Sequence, residues 1–347
     1  MERPSTPCGD SCKKIGTFAL AALAVVGAAS AQSSVTIFGI VDAAVSVGNG
    51  DTSNKTALTN SSYNSSRLGF RGVEDLGGGL KAAFHIEGAL SNDDGNATGL
   101  TFQRKSVVSL MGSMGEIRLG RDYTPNFWSF TVYDAFGTNG VGTTRALLGS
   151  LGAGGGGATT VRASNSIGYI SPTVSGFGVW GQLYLGEQLS TAAAQTGDGG
   201  AFRVSYDQGP LSLAVAYAKT TTGAGTDVQT TNVGGSYDMK VAKLMAFWNK
   251  DANTGLKDRT GYTISALVPV APAGTVRVGF SNTDNGSGAK TDQFSLGYVH
   301  DMSKRTAVYG TFSSLSNSGG ATAALNGAVT PANGSSTGFD VGVRHAF

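Results

Sequence analysis

The chain has 347 residues, 25 of them Lys or Arg and 23 Asp or Glu, so its net charge of +2 carries no basic excess that would point to nucleic acid. Charged residues make up only 14%, where a soluble domain carries about 25%. Mean hydropathy is nevertheless −0.02, and 53 glycines stand against 8 prolines. These values fit β-structure that hides apolar side chains one at a time.

In chain order, Lys13 and Lys14 precede an apolar run from Ile15 to Ala29, and Ala29 and Ala31 then stand in A-x-A positions before Gln32. This is the layout of a secretory signal peptide, preceded by an unusual n-region with acids at both ends. The run is shorter than the ~20 apolar residues of a bilayer-spanning helix. Two units are expected: a signal peptide over residues 1–31 and one domain over 32–347. Cys8 and Cys12, the two cysteines of the chain, fall in the removed part. That leaves no disulfide scaffold and no thiolate metal site. It also leaves 22 basic and 21 acidic residues, once Arg3, Lys13, Lys14, Glu2 and Asp10 are set aside.

From Ser34 onward the chain alternates. Val35, Ile37, Val41, Val45 and Val47 share one face of a strand, and Thr36, Asp42 and Ser46 the other. Leu68 and Phe70 oppose Arg67 and Arg71. Leu80, Ala82, Phe84 and Ile86 oppose Lys81, Ala83, His85 and Glu87. Ile117 and Leu119 oppose Glu116 and Arg118. The pattern predicts about sixteen strands, near residues 35–47, 63–75, 79–90, 101–111, 115–123, 160–171, 177–187, 201–208, 210–220, 229–238, 241–250, 258–268, 274–282, 291–301, 304–315 and 337–347. Short turns such as Asp75–Gly79 and Met111–Gly115 alternate with long polar connections. The latter are expected near Gly48–Ser62, Ser91–Gly99, Gln188–Gly200, Thr220–Val228, Asn282–Lys290 and Ser316–Ser336. A chain climbing up and down a barrel wall has this rhythm. A soluble sandwich also alternates, but it would split a chain of this length and expose more charge.

The segment "SSRLGFRGVEDLGGGLKAAFHIE" (Ser65–Glu87) resembles the general porins of β-proteobacterial outer membranes. So do "SSVTIFGIVDAAV" near the start of the mature chain, "GEIRLGRDYTP" (Gly115–Pro125), "SPTVSGFG" (Ser171–Gly178) and the closing "VGVRHAF". The resemblance covers the whole mature chain. It implies a sixteen-stranded antiparallel transmembrane β-barrel in the outer membrane, assembled as a homotrimer among lipid and lipopolysaccharide. In such a barrel the last strand pairs with the first, and Phe347 is the signal read by the barrel-assembly machinery. The function implied is a water-filled channel for passive diffusion of small hydrophilic solutes and ions, without cofactor, metal or reaction.

The same resemblance implies that the long third connection, Thr124 to about Thr159, folds into the lumen. Its aromatics Phe127, Trp128, Phe130, Tyr133 and Phe136 would anchor it to the wall; an external loop is the alternative. Facing it, the alternation places Arg67, Arg71, Lys81 and Arg118 on the lumen side. The loop offers Asp134 and Arg145, with Asp122 at its root. Basic candidates outnumber acidic ones, so a modest anion preference is expected. Other outer-membrane readings are an adhesin acting through its loops, a barrel enzyme, or a substrate-specific channel. No G-x-S-x-G or P-loop motif occurs, and His85, His300 and His345 have no metal spacing. "GAGGGG" (Gly152–Gly157) formally fits a dinucleotide-binding motif, but no apolar strand feeds it and no helical pattern follows.

Overall fold

The structure, a computed structural model, describes residues 34–95, 101–144, 161–255 and 257–347. Seventeen strand segments and one helix are assigned. They are β1 (Ser34–Gly50), β2 (Lys55–Asn60), β3 (Arg67–Gly77), β4 (Leu80–Ala89), β5 (Lys105–Gly112), β6 (Gly115–Tyr123), α1 (Pro125–Val132), β7 (Arg162–Ile170), β8 (Phe177–Tyr184), β9 (Gly199–Gln208), β10 (Leu211–Gly223), β11 (Thr226–Asp238), β12 (Lys243–Asn253), β13 (Arg259–Ala271), β14 (Gly274–Asp284), β15 (Lys290–Asp301), β16 (Thr306–Ser318) and β17 (Ser335–Ala346).

All are antiparallel members of one sheet, and β17 pairs with β1, which closes the sheet on itself. On its other side β1 pairs with β3 through Ser34–Ile40 and with β2 through Ala43–Gly48. Segments β2 and β3 are therefore two halves of one interrupted stave, and the barrel has sixteen staves. Closure leaves no row of unpaired backbone groups, which a hydrocarbon surrounding could not satisfy.

The alternation sorts side chains as a membrane requires. Val35, Ile37, Val41 and Val45 are exposed on the outside of β1, while Asp42, Ala44 and Ser46 between them are buried on the inside. The same division runs round the ring. Leu213 and Val215, Ile264, Phe294 and Leu296, and Val341 and Val343 face out; Ala214 and Ala216, Ser265, Gln293 and Ser295, and Asp340 face in. No helix among the described residues is long and apolar enough to cross a membrane; the strands make the crossing.

Two expectations are corrected, and one element is added. The stretch Lys55–Asn60, expected within a polar loop, is strand β2, because its backbone completes the ladder along Ala43–Gly48 whatever its side chains. The expected long loop at Thr220–Val228 is a tight turn at Ala224 and Gly225, Gly225 having φ +69°. Strands β10 and β11 continue as a paired hairpin through their polar residues as far as Gly223 opposite Thr226. Helix α1 had no periodic signal; it begins with Pro125 in its first turn, where the missing N–H costs nothing.

Candidate functional site

The third loop leaves β6 at Thr124 and turns inward as α1. Asn232 Nδ2 on the inner face of β11 donates to the Asn126 carbonyl at 3.1 Å. Phe130 meets the inward Phe247 of β12 with ring centroids 4.6 Å apart. Tyr133 is 1% exposed, and its hydroxyl lies 3.0 Å from Ser212 Oγ. The ring lies over Gly234, where a Cβ would overlap it. Further on, Arg277 Nε donates to the Ala135 carbonyl at 2.8 Å, and its guanidinium sits 4.6 Å from the Phe136 ring and 5.0 Å from that of Tyr63. The far end is pinned at Val141: its N–H donates to Asp340 Oδ2 at 2.7 Å, and its carbonyl accepts from Gln293 Nε2 at 3.0 Å. Leu325, from the loop between β16 and β17, packs on Val141. The third loop thus crosses the lumen and covers the inner wall from β10 round to β17.

What stays open lies on the N-terminal side of the barrel. A cavity of about 1000 Å³ is bordered by the loop on one side and, on the other, by β1, by β3 to β9 and by the last two residues of the chain. Among the described residues its charged lining is Arg67, Arg71, Arg104, Lys105, Arg118, Arg162 and Arg203 against Glu87 and Asp122: seven cations, two carboxylates. A second section of about 250 Å³ follows toward the short-turn rim and shares Arg71, His85, Lys105 and Arg118 with the first.

The carboxylates sit among the cations. Glu87 accepts from Arg104 Nε at 2.6 Å, with Arg67 at 3.9 Å. Asp122 lies 2.9 Å from both Lys105 Nζ and Arg118 Nη1. Arg118 is also held bidentately by Glu116, at 2.8 and 2.9 Å. By contrast, Arg71 and Arg203 have no carboxylate partner among the described residues; Arg71 lies over the Phe38 ring at 5.2 Å. Arg104 and Arg162 converge on the Tyr123 hydroxyl, at 3.0 and 2.9 Å, and Tyr123 stacks on Phe127 at 5.5 Å.

Of the residues picked from alternation, Arg67, Arg71 and Arg118 meet on this wall. Lys81 does not: it lies one residue past the Gly77–Leu80 turn, exposed at the short-turn rim. Asp122 belongs to the basic wall rather than to the loop, because it ends β6 beside Arg118. Asp134 does not face the bore. Its carboxylate is turned into the loop, where it accepts from the Phe136 N–H, the Thr144 N–H and the Thr144 hydroxyl at 2.8, 3.1 and 2.9 Å. Burial pushes this carboxyl upward against those donors. Arg145 and Gly152–Gly157 lie outside the described residues. Arg104, Lys105, Arg162 and Arg203 were missed. Inward parity on β5 and β9 would have found Lys105 and Arg203; Arg104 and Arg162 flank loops, where parity gives no guide.

The profile of the family described as Gram-negative porin matches residues 17–320. The chain belongs to the Gram-negative porin family. Outer membrane porin protein 32 of Delftia acidovorans is 40% identical over 351 residues, spanning 96% of this chain and all of that protein. An outer membrane porin protein of Bordetella pertussis is 29% identical over 387 residues, spanning 92% of this chain and 96% of its own. Among solved structures, the anion-selective porin from Comamonas acidovorans superposes with a TM-score of 0.83 at 39% identity, over 91% of this chain and all of that one. OmpT of Vibrio cholerae in its trimer form scores 0.66 at 14% identity, a likeness of fold. This porin is an outer-membrane channel protein, and its bore is the passage between the infolded loop and the basic wall.

Proposed function

We propose that this porin is a passive diffusion channel with a preference for small anions, working as a homotrimer. The observation that carries the reading is the lining of the bore among the described residues: seven cations against two carboxylates in the main cavity, with Glu116 the one carboxylate that the narrower section adds. Fixed charge along a narrow passage raises the local concentration of the opposite ion and repels its own sign. The solved Comamonas relative, described as anion-selective, points the same way. Arg67, Arg71 and Arg118 would act directly on permeating ions, and Asp122 would moderate them. Residues 1–31 would be removed on export. Phe347, whose ring lies over Gly39 on the outer face, would serve the barrel-assembly machinery as its signal, in a membrane of lipid and lipopolysaccharide. Nothing in this role requires catalysis. The test is the zero-current potential of the reconstituted porin in a potassium chloride gradient. Chloride permeating ahead of potassium is expected; potassium ahead of chloride would falsify the reading.

A further inference from the structure

Three tryptophans occur in the chain. Trp248 is on the outer, lipid-facing surface, paired across strands with Val233 and Tyr262. The other two are inside, in the water-filled bore. Trp180 points inward from β8, and Trp128 projects from α1 with 39% of its surface exposed. Their rings meet edge to face with centroids 6.4 Å apart, and Trp128 also lies 6.2 Å from Tyr123. Indole exposed to water is unfavourable and is normally packed away or set at a membrane interface. Here two indoles form an apolar corner in a passage otherwise lined with charge.

A cation stands at this corner. Arg203 is the cross-strand partner of Trp180, on the same inward face. Its side-chain hydrogen bonds are long, 3.4 Å from Nε to Ser129 Oγ and 3.4 Å from Nη2 to the Tyr133 hydroxyl, and it has no carboxylate among the described residues. Its planar fork is therefore available to an incoming carboxylate, which it would grip with two parallel hydrogen bonds. Both tryptophans and Arg203 border the same cavity of about 1000 Å³.

We infer that Trp128, Trp180 and Arg203 form a transit subsite for aromatic carboxylates, compounds with one carboxylate on or beside an aromatic ring. The carboxylate pairs with Arg203 and the ring lies against the two indoles. Affinity is low, because a conducting site must also let go. The inference rests on the anion reading above but adds to it: fixed positive charge attracts any small anion, whereas the indoles distinguish an aryl acid from an alkyl one.

The test uses the full-length porin in planar bilayers, carrying chloride current, with benzoate, acetate or benzylammonium added. Benzoate is expected to half-block at about tenfold lower concentration than acetate, the ratio that one ring-on-ring contact supplies. Trp128→Ala combined with Trp180→Ala brings that ratio close to one, and Arg203→Gln raises the half-blocking concentration of benzoate. Equal block by benzoate and acetate in the unmodified porin overturns the inference, and this comparison needs no variant to fold. A ratio that survives in the double variant overturns it too, as does benzylammonium blocking as well as benzoate. Failure of the anion reading shows separately, in the salt gradient, as cation preference.

Discussion

Arg71 and Arg118 both face the bore, yet their charges are not equivalent there. Arg118 is held by Glu116 and Asp122 at 2.8 to 2.9 Å, so much of its field is cancelled on the spot. Arg71 and Arg203 meet no carboxylate among the described residues. Arg71→Gln and Arg203→Gln should each move the zero-current potential toward cation preference by more than Arg118→Gln does. An equal shift for all three would show that the local carboxylates screen nothing. Asp122→Asn should act in the opposite sense and strengthen anion preference, since it frees Lys105 and leaves Arg118 with Glu116 alone. Alternation was enough to mark Arg67, Arg71 and Arg118 as inward. The same parity also sets Asp122, four residues further along β6, beside Arg118, which the assignment of Asp122 to the loop side passed over; it could not show that Asp134 is spent on its own loop.

The infolded loop is the element on which bore width depends. It is held by apolar contact at one end and by buried polar contacts at the other. Phe130 is 4% exposed and packs on Phe247. Removing its ring should weaken the seating of α1 by about 3 kcal/mol, the usual effect of Phe→Ala in a packed site. Arg277→Ala deletes the donor to the Ala135 carbonyl and the cation lying on Phe136. Both variants are expected to raise single-channel conductance and to expose the loop to added protease, with the barrel itself still formed. Unchanged conductance in Arg277→Ala would mean that the loop is seated without it. Of the five loop aromatics that the resemblance to porins marked as anchors, Phe127, Phe130, Tyr133 and Phe136 are buried against the wall, whereas Trp128 projects into the bore. The sockets were not legible in the sequence, because Gly234, Phe247 and Arg277 lie a hundred or more residues away on other strands.

At the scale of the whole molecule, closure and net field matter most. The N–H and carbonyl of Phe347 bond to the carbonyl and N–H of Gly39, at 3.1 and 3.0 Å, and the Phe347 ring covers Gly39 on the outer face. A larger side chain at Gly39 would collide with that ring at the seam. Gly39→Leu is therefore expected to lower the temperature at which the folded form loses its characteristic gel mobility, and to lower the yield of folded porin. The lining charge acts through water, so it is screened by salt. Anion preference should fade between 0.1 M and 1 M salt, as the Debye length falls from about 10 Å to about 3 Å. Preference undiminished at 1 M would point to binding at close range instead.

Alternation marked the strands and their two faces, because a period of two is a local property of each strand, while the choice of a barrel over a sandwich also needed the chain length, the low charge and the resemblance to porins. It located sixteen staves even though β2 was read as loop, since β2 completes the stave that β3 begins. The spacing of turns and loops likewise indicated which rim carries the short connections. Tertiary structure decided the rest. The inward course of the third loop, the burial of Asp134 and the meeting of Trp128 with Trp180 and Arg203 were all beyond the reach of alternation. Each depends on where sheet closure sets two walls and a loop relative to one another, which no local pattern encodes.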